Sequence, residues 1–266
     1  MDKFIYKKSA GVTVLSASMS EFVYKRHSHE EYALGVTLRG IQQYHLAGRL
    51  CSSHQNGIML FNPEQAHDGY AADKDGIDYV MIYIPTELLS EISGSRKILR
   101  FTSPIIYDDK LALSILNLSD CIFNNKSEVL SNELLMKLIT DVSKSHIQTV
   151  YLKQDDLIRR SIEMIRCNMG TVLKLDDICH ELQISKYQFI RLFKTYAGIA
   201  PYQYFLNCKV ECAKRLLEAR KDVYSVVLDC GFFDLAHLNR HFKGIYGTTA
   251  YEYSQYVRKW DRTGVI

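Results

Sequence analysis

The stretch FIRLFKTYAGIAPYQY at residues 189–204 returns as LNRHFKGIYGTTAYEY at residues 238–253. At an offset of 49 positions the two copies share Arg191 with Arg240, Phe193 with Phe242, Lys194 with Lys243, Gly198 with Gly247, and Tyr204 with Tyr253. Upstream the offset is 48, so the second copy has one extra turn residue. Two copies of a short helical unit, each with an Arg and a Lys on its polar face, are typical of repeated DNA-reading helices.

The region around this repeat is predicted to be entirely helical. Asp155 or Asp156 can cap a helix over LIRRSIEMIRCNM, which ends at Gly170, and a short helix follows at 175–182. Ser185 is the expected N-cap of KYQFIRLFKTY, which ends at Gly198. The remaining predicted helices are a long one that Pro201 opens, then Tyr224–Cys230, Leu235–Tyr246 and Ala250–Trp260.

Each copy fits a helix-turn-helix, in which the second helix packs by its inner face and presents its outer face to the major groove. The predicted inner stripes are Phe189, Leu192, Phe193 and Tyr196, and Leu238, Phe242 and Tyr246. The outward positions, our candidate DNA contacts, are Lys186, Tyr187, Ile190, Arg191, Lys194, Ala236, His237, Asn239, Arg240 and Lys243. Arg and Asn suit base edges, and Lys suits phosphate. For a single copy a helical bundle with a solvated charged face would be preferred, but the duplication favours DNA binding.

Charge and composition agree with this interpretation. Residues 155–266 hold 17 Lys and Arg against 13 Asp and Glu, whereas the remaining residues hold 16 against 17. The seven cysteines include no Cys-x-x-Cys pair, and several lie in apolar helical patterns, so we expect reduced, packed thiols. No apolar run reaches the length of a membrane span and the start lacks an apolar signal core, so we expect a cytoplasmic protein without a membrane partner.

The N-terminal half has the pattern of short antiparallel strands. Apolar and polar residues alternate in VTVLSASM, YALGVTLRG, QYHLAG, GIMLFN and DYVMIYI, with turn residues between them. This spacing indicates a barrel or jelly roll. From Pro85 the period changes, and residues 111–123 and 128–147 read as amphipathic helices. Their apolar stripes predict a homodimer seam, with Leu116, Leu134, Leu135 and Leu138 as candidates.

The C-terminal hundred residues resemble the AraC/XylS family of bacterial transcription regulators. The resemblance is carried by LDDICHELQISKYQFIRLFKTYAGIAPYQY and by the spaced pattern GF-x-D, H-x-x-R-x-FK, G-x-T and Tyr at 231–253. It implies two helix-turn-helix units that enter successive major grooves, joined by a central helix at 202–220. Transferred by position, it implies DNA contacts from Lys186, Tyr187, Ile190 and Arg191, and from Ala236, His237, Asn239 and Arg240. Ala236, Leu238 and Ala250 depart from the family's usual Ser, Phe and Pro.

The N-terminal half carries a possible ligand site. His27, His29 and Glu31 alternate, so on a strand they would share one face, and His67 follows a turn that could return it there. RHSHEEY and GIMLFNPEQAH resemble the two signatures of a cupin-like sensor domain, but the carboxylate spacing of metal-binding cupins is absent. We therefore expect no metal and no cofactor, and we expect a small polar effector at His27, His29, Glu31, His67 and Asp68. The rival interpretation is a polar network at the barrel mouth.

The sequence thus predicts an α+β protein: a cupin-like antiparallel barrel (1–107), a helical dimerisation segment (108–150), and an all-α domain of two helix-turn-helix units (155–262). The predicted function is effector-controlled binding to double-stranded operator DNA, with RNA polymerase as a further partner and no catalytic residues. Two alternatives stay open. One is a cupin metalloenzyme fused to a nucleic-acid module, and the other is a constitutive DNA-binding protein whose barrel is a scaffold.

Overall fold

The computed structural model describes residues 2–94, 99–145, 147–149, 156–170 and 172–260. Its N-terminal part is built of antiparallel strands. They are β1 (Lys3–Ser9), β2 (Val12–Met19), β3 (Tyr24–His27), β4 (Tyr32–Arg39), β5 (Gln42–Leu46), β6 (Arg49–Ser53), β7 (Ile58–Phe61), β8 (His67–Ala71), β9 (Ile77–Ile84), β10 (Leu99–Phe101), β11 (Ile105–Ile106) and β12 (Ile147–Thr149). One sheet has the order β1-β2-β9-β4-β7-β11, and it faces a second with the order β3-β8-β5-β6. The predicted jelly-roll fold is confirmed.

The helices follow in chain order. They are α1 (Thr86–Ser93), α2 (Asp109–Phe123), α3 (Glu128–Ser145), α4 (Asp156–Cys167), α5 (Leu175–Leu182), α6 (Lys186–Ala197), α7 (Pro201–Glu218), α8 (Val223–Asp229), α9 (Leu235–Tyr246) and α10 (Ala250–Trp260). The bounds of α5, α9 and α10 equal the predicted ones. Asp155, one of the two proposed caps for α4, lies outside the described residues.

The central strands are buried on both faces because each face has its own apolar layer. In β4, Leu34 and Val36 belong to a core shared with α2 and α3, whereas Ala33 belongs to the core of the barrel interior. This alternation is the period-two pattern of a strand. Seven strands were missed from the sequence because they are short or rich in Lys, Arg, His and Ser, so no apolar alternation marks them. They are β1, β3, β6, β8, β10, β11 and β12.

The burial of α2 and α3 removes Leu135 and Leu138 from the predicted dimer seam. Leu135 and Leu138 are 1% and 0% exposed. With the partly buried Leu116 and Leu134 they pack on the outer face of the six-stranded sheet of the same chain. The choice of Leu135 and Leu138 was wrong because an apolar stripe that covers the same chain's sheet has the same sequence pattern as one that meets a second copy. The homodimer itself stays a prediction. Substituting Glu at Leu135 and Leu138 would break the fold of one subunit rather than separate two.

The strand-rich and helical parts share one core. Barrel residues such as Tyr6, Met59 and Phe61 belong to the same apolar cluster as Val226 and Phe242 of the C-terminal helices. Helix α10 packs on β1 and α9 packs on β3. Helices α9 and α10 therefore pack against β3 and β1, which are edge strands of the two sheets. The predicted division at 107, 150 and 155 stays a prediction, and part of its last boundary lies outside the described residues.

Candidate nucleic-acid interface

The first helix-turn-helix unit consists of α5, a tight turn and α6. Gln183 ends α5 with a φ of 53°. Ser185 then caps α6 in a capping box, accepting from the backbone N–H of Gln188 while the Gln188 side chain accepts from the N–H of Ser185. Gly198 ends α6 with a φ of 74°. The predicted cap and stop residues of this helix are confirmed.

The second unit repeats this geometry with α8 and α9. Asp222 caps α8, and Asp234 caps α9 by accepting from the backbone N–H of His237. Gly247 ends α9 with a φ of 72°, and a Cβ there would lie 2.6 Å from the ring of Phe4, so only glycine fits. The two αL stops at 198 and 247 show that the sequence repeat is also a structural repeat.

The packed faces of the two second helices differ slightly from the prediction. In α9, Leu238, Phe242 and Tyr246 are buried as predicted, and in α6 so are Phe189 and Phe193. Leu192 and Tyr196 were also expected inside, but they are 37% and 46% exposed. The inner stripe of α6 is therefore narrower than predicted and continues at Ala197.

The predicted contact positions lie on the outer faces. Ile190, His237 and Asn239 are half-buried, and the others are exposed: Lys186, Tyr187, Arg191, Lys194, Ala236, Arg240 and Lys243. Within the described part of the chain, neither Arg191 nor Arg240 forms an ion pair with a carboxylate. Their guanidinium groups are thus open to a ligand that accepts hydrogen bonds.

Two of the predicted contacts already have partners inside the protein. Lys186 Nζ lies 2.6 Å from the Asp176 carboxylate, which raises the pKa of Lys186. The side-chain oxygen of Asn239 accepts from the backbone N–H of Ala250 at 3.0 Å. The usual proline at 250 would have no N–H to donate, so the Ala250 departure explains why Asn239 serves α10. Asn239 keeps its amide NH₂ for other contacts.

Three of the predicted effector residues converge inside the barrel. His27 and His67 face each other across β3 and β8, with ring centroids 4.5 Å apart, and His29 lies 5.0 Å from His67. The Nδ1 atoms bond to the backbone oxygens of Lys25, Glu31 and Gln65 at 2.7–2.8 Å. A carbonyl oxygen only accepts, so each Nδ1 carries the proton and each Nε2 is an acceptor.

Burial keeps these histidines neutral. It lowers the pKa of His27 and of His29 to about 4, and it lowers that of His67 well below its ordinary value, assisted by the two neighbouring rings. Among the described residues, no group of three or more His, Cys, Asp or Glu side chains is arranged to hold a metal ion. The three rings instead offer hydrogen-bond acceptors.

The other two predicted effector residues point elsewhere. Strand β3 ends at His27, so Glu31 does not continue its alternation, and its carboxylate lies 2.6 Å from Lys214 Nζ of α7. Asp68 follows His67 on β8 and so faces the opposite side, where it accepts from the backbone N–H of His45 at 2.6 Å. The structure does not bring Asp68 together with the histidines.

Sequence reasoning missed the residues that join the barrel to the helices. Acidic side chains of the barrel meet basic side chains of α4 and α7. The pairs are Glu64 with Arg166 at 2.6 Å, Glu30 with Arg215 at 2.6 Å, and Glu31 with Lys214 at 2.6 Å. Partners more than a hundred positions apart leave no local signal in the sequence.

Lys214 is the centre of this contact. Its side chain is 5% exposed and lies between Glu31 of the barrel and Glu218 of α7. Burial alone would lower its pKa, but the carboxylates of Glu31, Glu211 and Glu218 raise it above the ordinary value. Burial also raises the pKa of Glu211 to about 7, and the hydroxyl of Tyr246 donates to that carboxyl. A charged lysine is thus held in a place that is almost closed to water.

Comparison with known proteins places each half separately. Residues 9–139 match the family described as "AraC-like ligand binding domain", and residues 178–256 match "Helix-turn-helix domain". The chain is 24% identical over 223 residues to the uncharacterized HTH-type transcriptional regulator YbfI of Bacillus subtilis, covering 81% of each protein. It is also 24% identical over 157 residues to the raffinose operon transcriptional regulatory protein RafR of Pediococcus pentosaceus, covering 57% of this chain and 56% of RafR.

Solved structures share the whole fold. ToxT of Vibrio cholerae O395 superposes with a TM-score of 0.60 at 13% identity, over 93% of this chain and 98% of ToxT. A ToxT structure from strain SCE256 with bound unsaturated fatty acid gives a TM-score of 0.57 at 11% identity, over 96% of this chain and 94% of that one. In the described part of the chain, no helix is long and apolar enough to cross a membrane.

Proposed function

Because this chain belongs to the AraC family of transcription regulators, we propose that α6 and α9 are its two operator-reading helices and that its histidine cluster contacts the effector. The protein is a DNA-binding transcription regulator with a ligand-binding domain ahead of its DNA-binding domain. One observation carries the proposal: the duplicated Arg191 and Arg240 lie exposed at equivalent positions of two repeated helices, and no carboxylate among the described residues pairs with either of them.

Replacing Arg240 with Ala is expected to weaken operator binding by about 1–3 kcal/mol, because one bidentate contact to a base edge is lost. Non-specific binding should fall less, since phosphate contacts carry most of it. Titration of operator and of random duplex DNA at one salt concentration measures both. Arg39→Ala is the matched control, because that arginine pairs with Asp78 on the barrel. Equal losses on both DNAs would make Arg240 a phosphate contact, and no loss would remove α9 from the interface.

The effector proposal rests on the chemistry of the three rings. With every Nδ1 proton used by a backbone oxygen, the cluster offers only lone pairs at the Nε2 atoms of His27, His29 and His67. A ligand that donates hydrogen bonds, through hydroxyl or amine groups, matches this set. Glu31 follows His29 by two residues and pairs with Lys214 of α7. A ligand bound at the histidine cluster can therefore affect the DNA-binding helices through a short chain of contacts.

The His67→Ala variant is expected to lose the stabilisation that an effector gives the parent protein. A thermal-shift screen of polyols, amino sugars, amines and carboxylates identifies the effector, which at 100 times its Kd adds about 2.7 kcal/mol to the parent. His45→Ala is the control, since His45 pairs with Asp68 on the other side of the sheet. A His67→Ala protein that still responds fully to the effector would place the ligand elsewhere.

We also propose a homodimer, but one that forms through a different surface of the same helices. The outer face of α3 presents Val129 and Met136, which are large, apolar and exposed, and Leu113 of α2 is exposed too. These residues, rather than the buried Leu135 and Leu138, are available for a second copy. RNA polymerase as a partner is likewise proposed from the family alone.

A further inference from the structure

We infer that the cleft between the barrel and the first helix-turn-helix unit binds a small oxyanion with two or more negative charges, such as a phosphorylated or polycarboxylic metabolite. The cleft has a volume of about 560 Å³ and is walled by residues 63–66 of the barrel and residues 194–198 at the end of α6. This volume lies within the range of about 300–1,000 Å³ typical of small-molecule sites. It shares no lining residue with the histidine cluster.

Three cationic side chains from three different elements line this cleft. Arg26 belongs to β3, Arg100 to β10 and Lys194 to α6. None of the three forms an ion pair with any carboxylate that the structure describes. The acidic residue in the lining, Glu64, is already engaged by Arg166 at 2.6 Å and by the hydroxyl of Tyr204 at 3.0 Å. The cleft therefore carries an uncompensated positive charge.

A second observation indicates a missing acceptor. The Nε atom of Arg26 is buried and has no hydrogen-bond partner in the described structure. Buried donors of this kind nearly always have a partner, so the group lacks an acceptor oxygen that none of the described residues supplies. A guanidinium matches the oxygens of phosphate and carboxylate groups through two parallel hydrogen bonds. A neutral or cationic ligand would leave the charge of the cleft unbalanced.

The position of the cleft connects it to DNA reading. Lys194 lies one turn beyond Ile190 and Arg191 on the same face of α6, and it also lines the cleft. Under the proposed function this ammonium contacts a DNA phosphate, and the coupling rests on that proposal. An oxyanion in the cleft pairs with the same ammonium group, so the anion and the operator compete for Lys194. The bound anion is expected to weaken operator binding.

The site is tested without DNA by titrating the full-length protein with inorganic pyrophosphate and with citrate in a calorimeter. The parent is expected to bind at least one of them. Arg26→Gln and Arg100→Gln should each weaken that binding by about tenfold or more, because a charge-assisted hydrogen bond is lost. Lys74→Gln removes one exposed charge from the β8–β9 turn, outside the cleft, and should change nothing.

The titration distinguishes a phosphorylated ligand from a polycarboxylate. Binding of pyrophosphate alone identifies a phosphorylated ligand, and binding of citrate alone identifies a polycarboxylate. Binding of neither, or binding that the Arg26 and Arg100 variants retain, overturns the site.

The coupling is measured next, on operator DNA. Saturating anion should weaken operator binding by the parent and lower the slope of log K against log salt by about 0.9, the value for one phosphate contact. The Arg26→Gln protein should bind operator normally and be insensitive to the anion. Operator affinity that the anion leaves unchanged overturns the competition at Lys194 and not the site. A parent protein that binds no operator contradicts the proposed function while leaving the anion titration valid.

Discussion

Replacing Lys214 with Ala is expected to lower the free energy of unfolding by about 3–5 kcal/mol, the usual cost of removing one partner from a buried ion pair. The ammonium is almost fully buried, and the carboxylates of Glu31 and Glu218 lie 2.6 and 4.0 Å from it. Without it, Glu31 would lose the cation 2.6 Å from its carboxylate, while Glu218 would keep its pair with Lys8. Urea unfolding at constant pH measures the loss.

A double variant separates charge from packing. Lys214→Met combined with Glu31→Gln removes both members of the closest pair while keeping most of the side-chain volume. It should recover at least half of the stability lost in Lys214→Ala, because well-packed neutral residues often replace a buried pair at little cost. Lys110→Ala, an exposed lysine of α2, is the control and should stay within about 0.5 kcal/mol of the parent. A Lys214→Ala protein as stable as the parent would show that water reaches this site.

The same variants report on regulation. Lys214 joins α7, the helix between the two helix-turn-helix units, to a loop that begins at the histidine cluster. If this pair transmits the effector signal, the double variant should bind operator with an affinity that no longer depends on the effector. Retained effector dependence would assign the transmission to the outer pairs formed by Arg166 and Arg215.

The sequence predicted the parts of the fold that depend on neighbours in the chain. Ser185, Gly198 and Gly247 act as caps or stops because a short polar side chain or a positive φ is required at those positions. Strands β2, β4, β5, β7 and β9 were found from their alternation. The contact between the two domains could not be predicted from the sequence, because Lys214 and Glu31 are 183 positions apart and each has the pattern of an ordinary surface charge.

The site predictions also succeeded where neighbours in the chain determine the contact and failed where distant residues do. His27, His29 and His67 do meet, but through a cross-strand pair and a loop rather than along one strand. Glu31 lies apart from the three histidines because its carboxylate pairs with Lys214, a buried lysine of another domain. The cleft at Arg26 was missed since its three cations come from distant elements. Leu135 and Leu138 show that an apolar helix stripe does not reveal which surface covers it.

Acidification is expected to destabilise the protein between pH 7 and pH 5. His27 and His29 ionise near pH 6.5 in the unfolded chain, but burial lowers their pKa to about 4 in the folded protein. A group whose pKa is lowered on folding stabilises the fold above its unfolded pKa, and this contribution disappears as the pH falls towards the folded value. At pH 5 each histidine has lost about 2 kcal/mol, and His67 adds a loss of the same sign.

Glu211 acts in the opposite direction, and its effect is smaller than that of three histidines. Its pKa is raised by burial to about 7, so its stabilising effect is complete below pH 4.5 and is lost as the pH rises towards 7. The net expectation is a loss of about 2–4 kcal/mol between pH 7 and pH 5, measured as the free energy of unfolding in urea. Glu211→Gln should steepen this dependence and His27→Gln should flatten it. A free energy of unfolding that stays constant or rises on acidification would mean that the three rings take up protons as readily in the folded protein as in the unfolded chain.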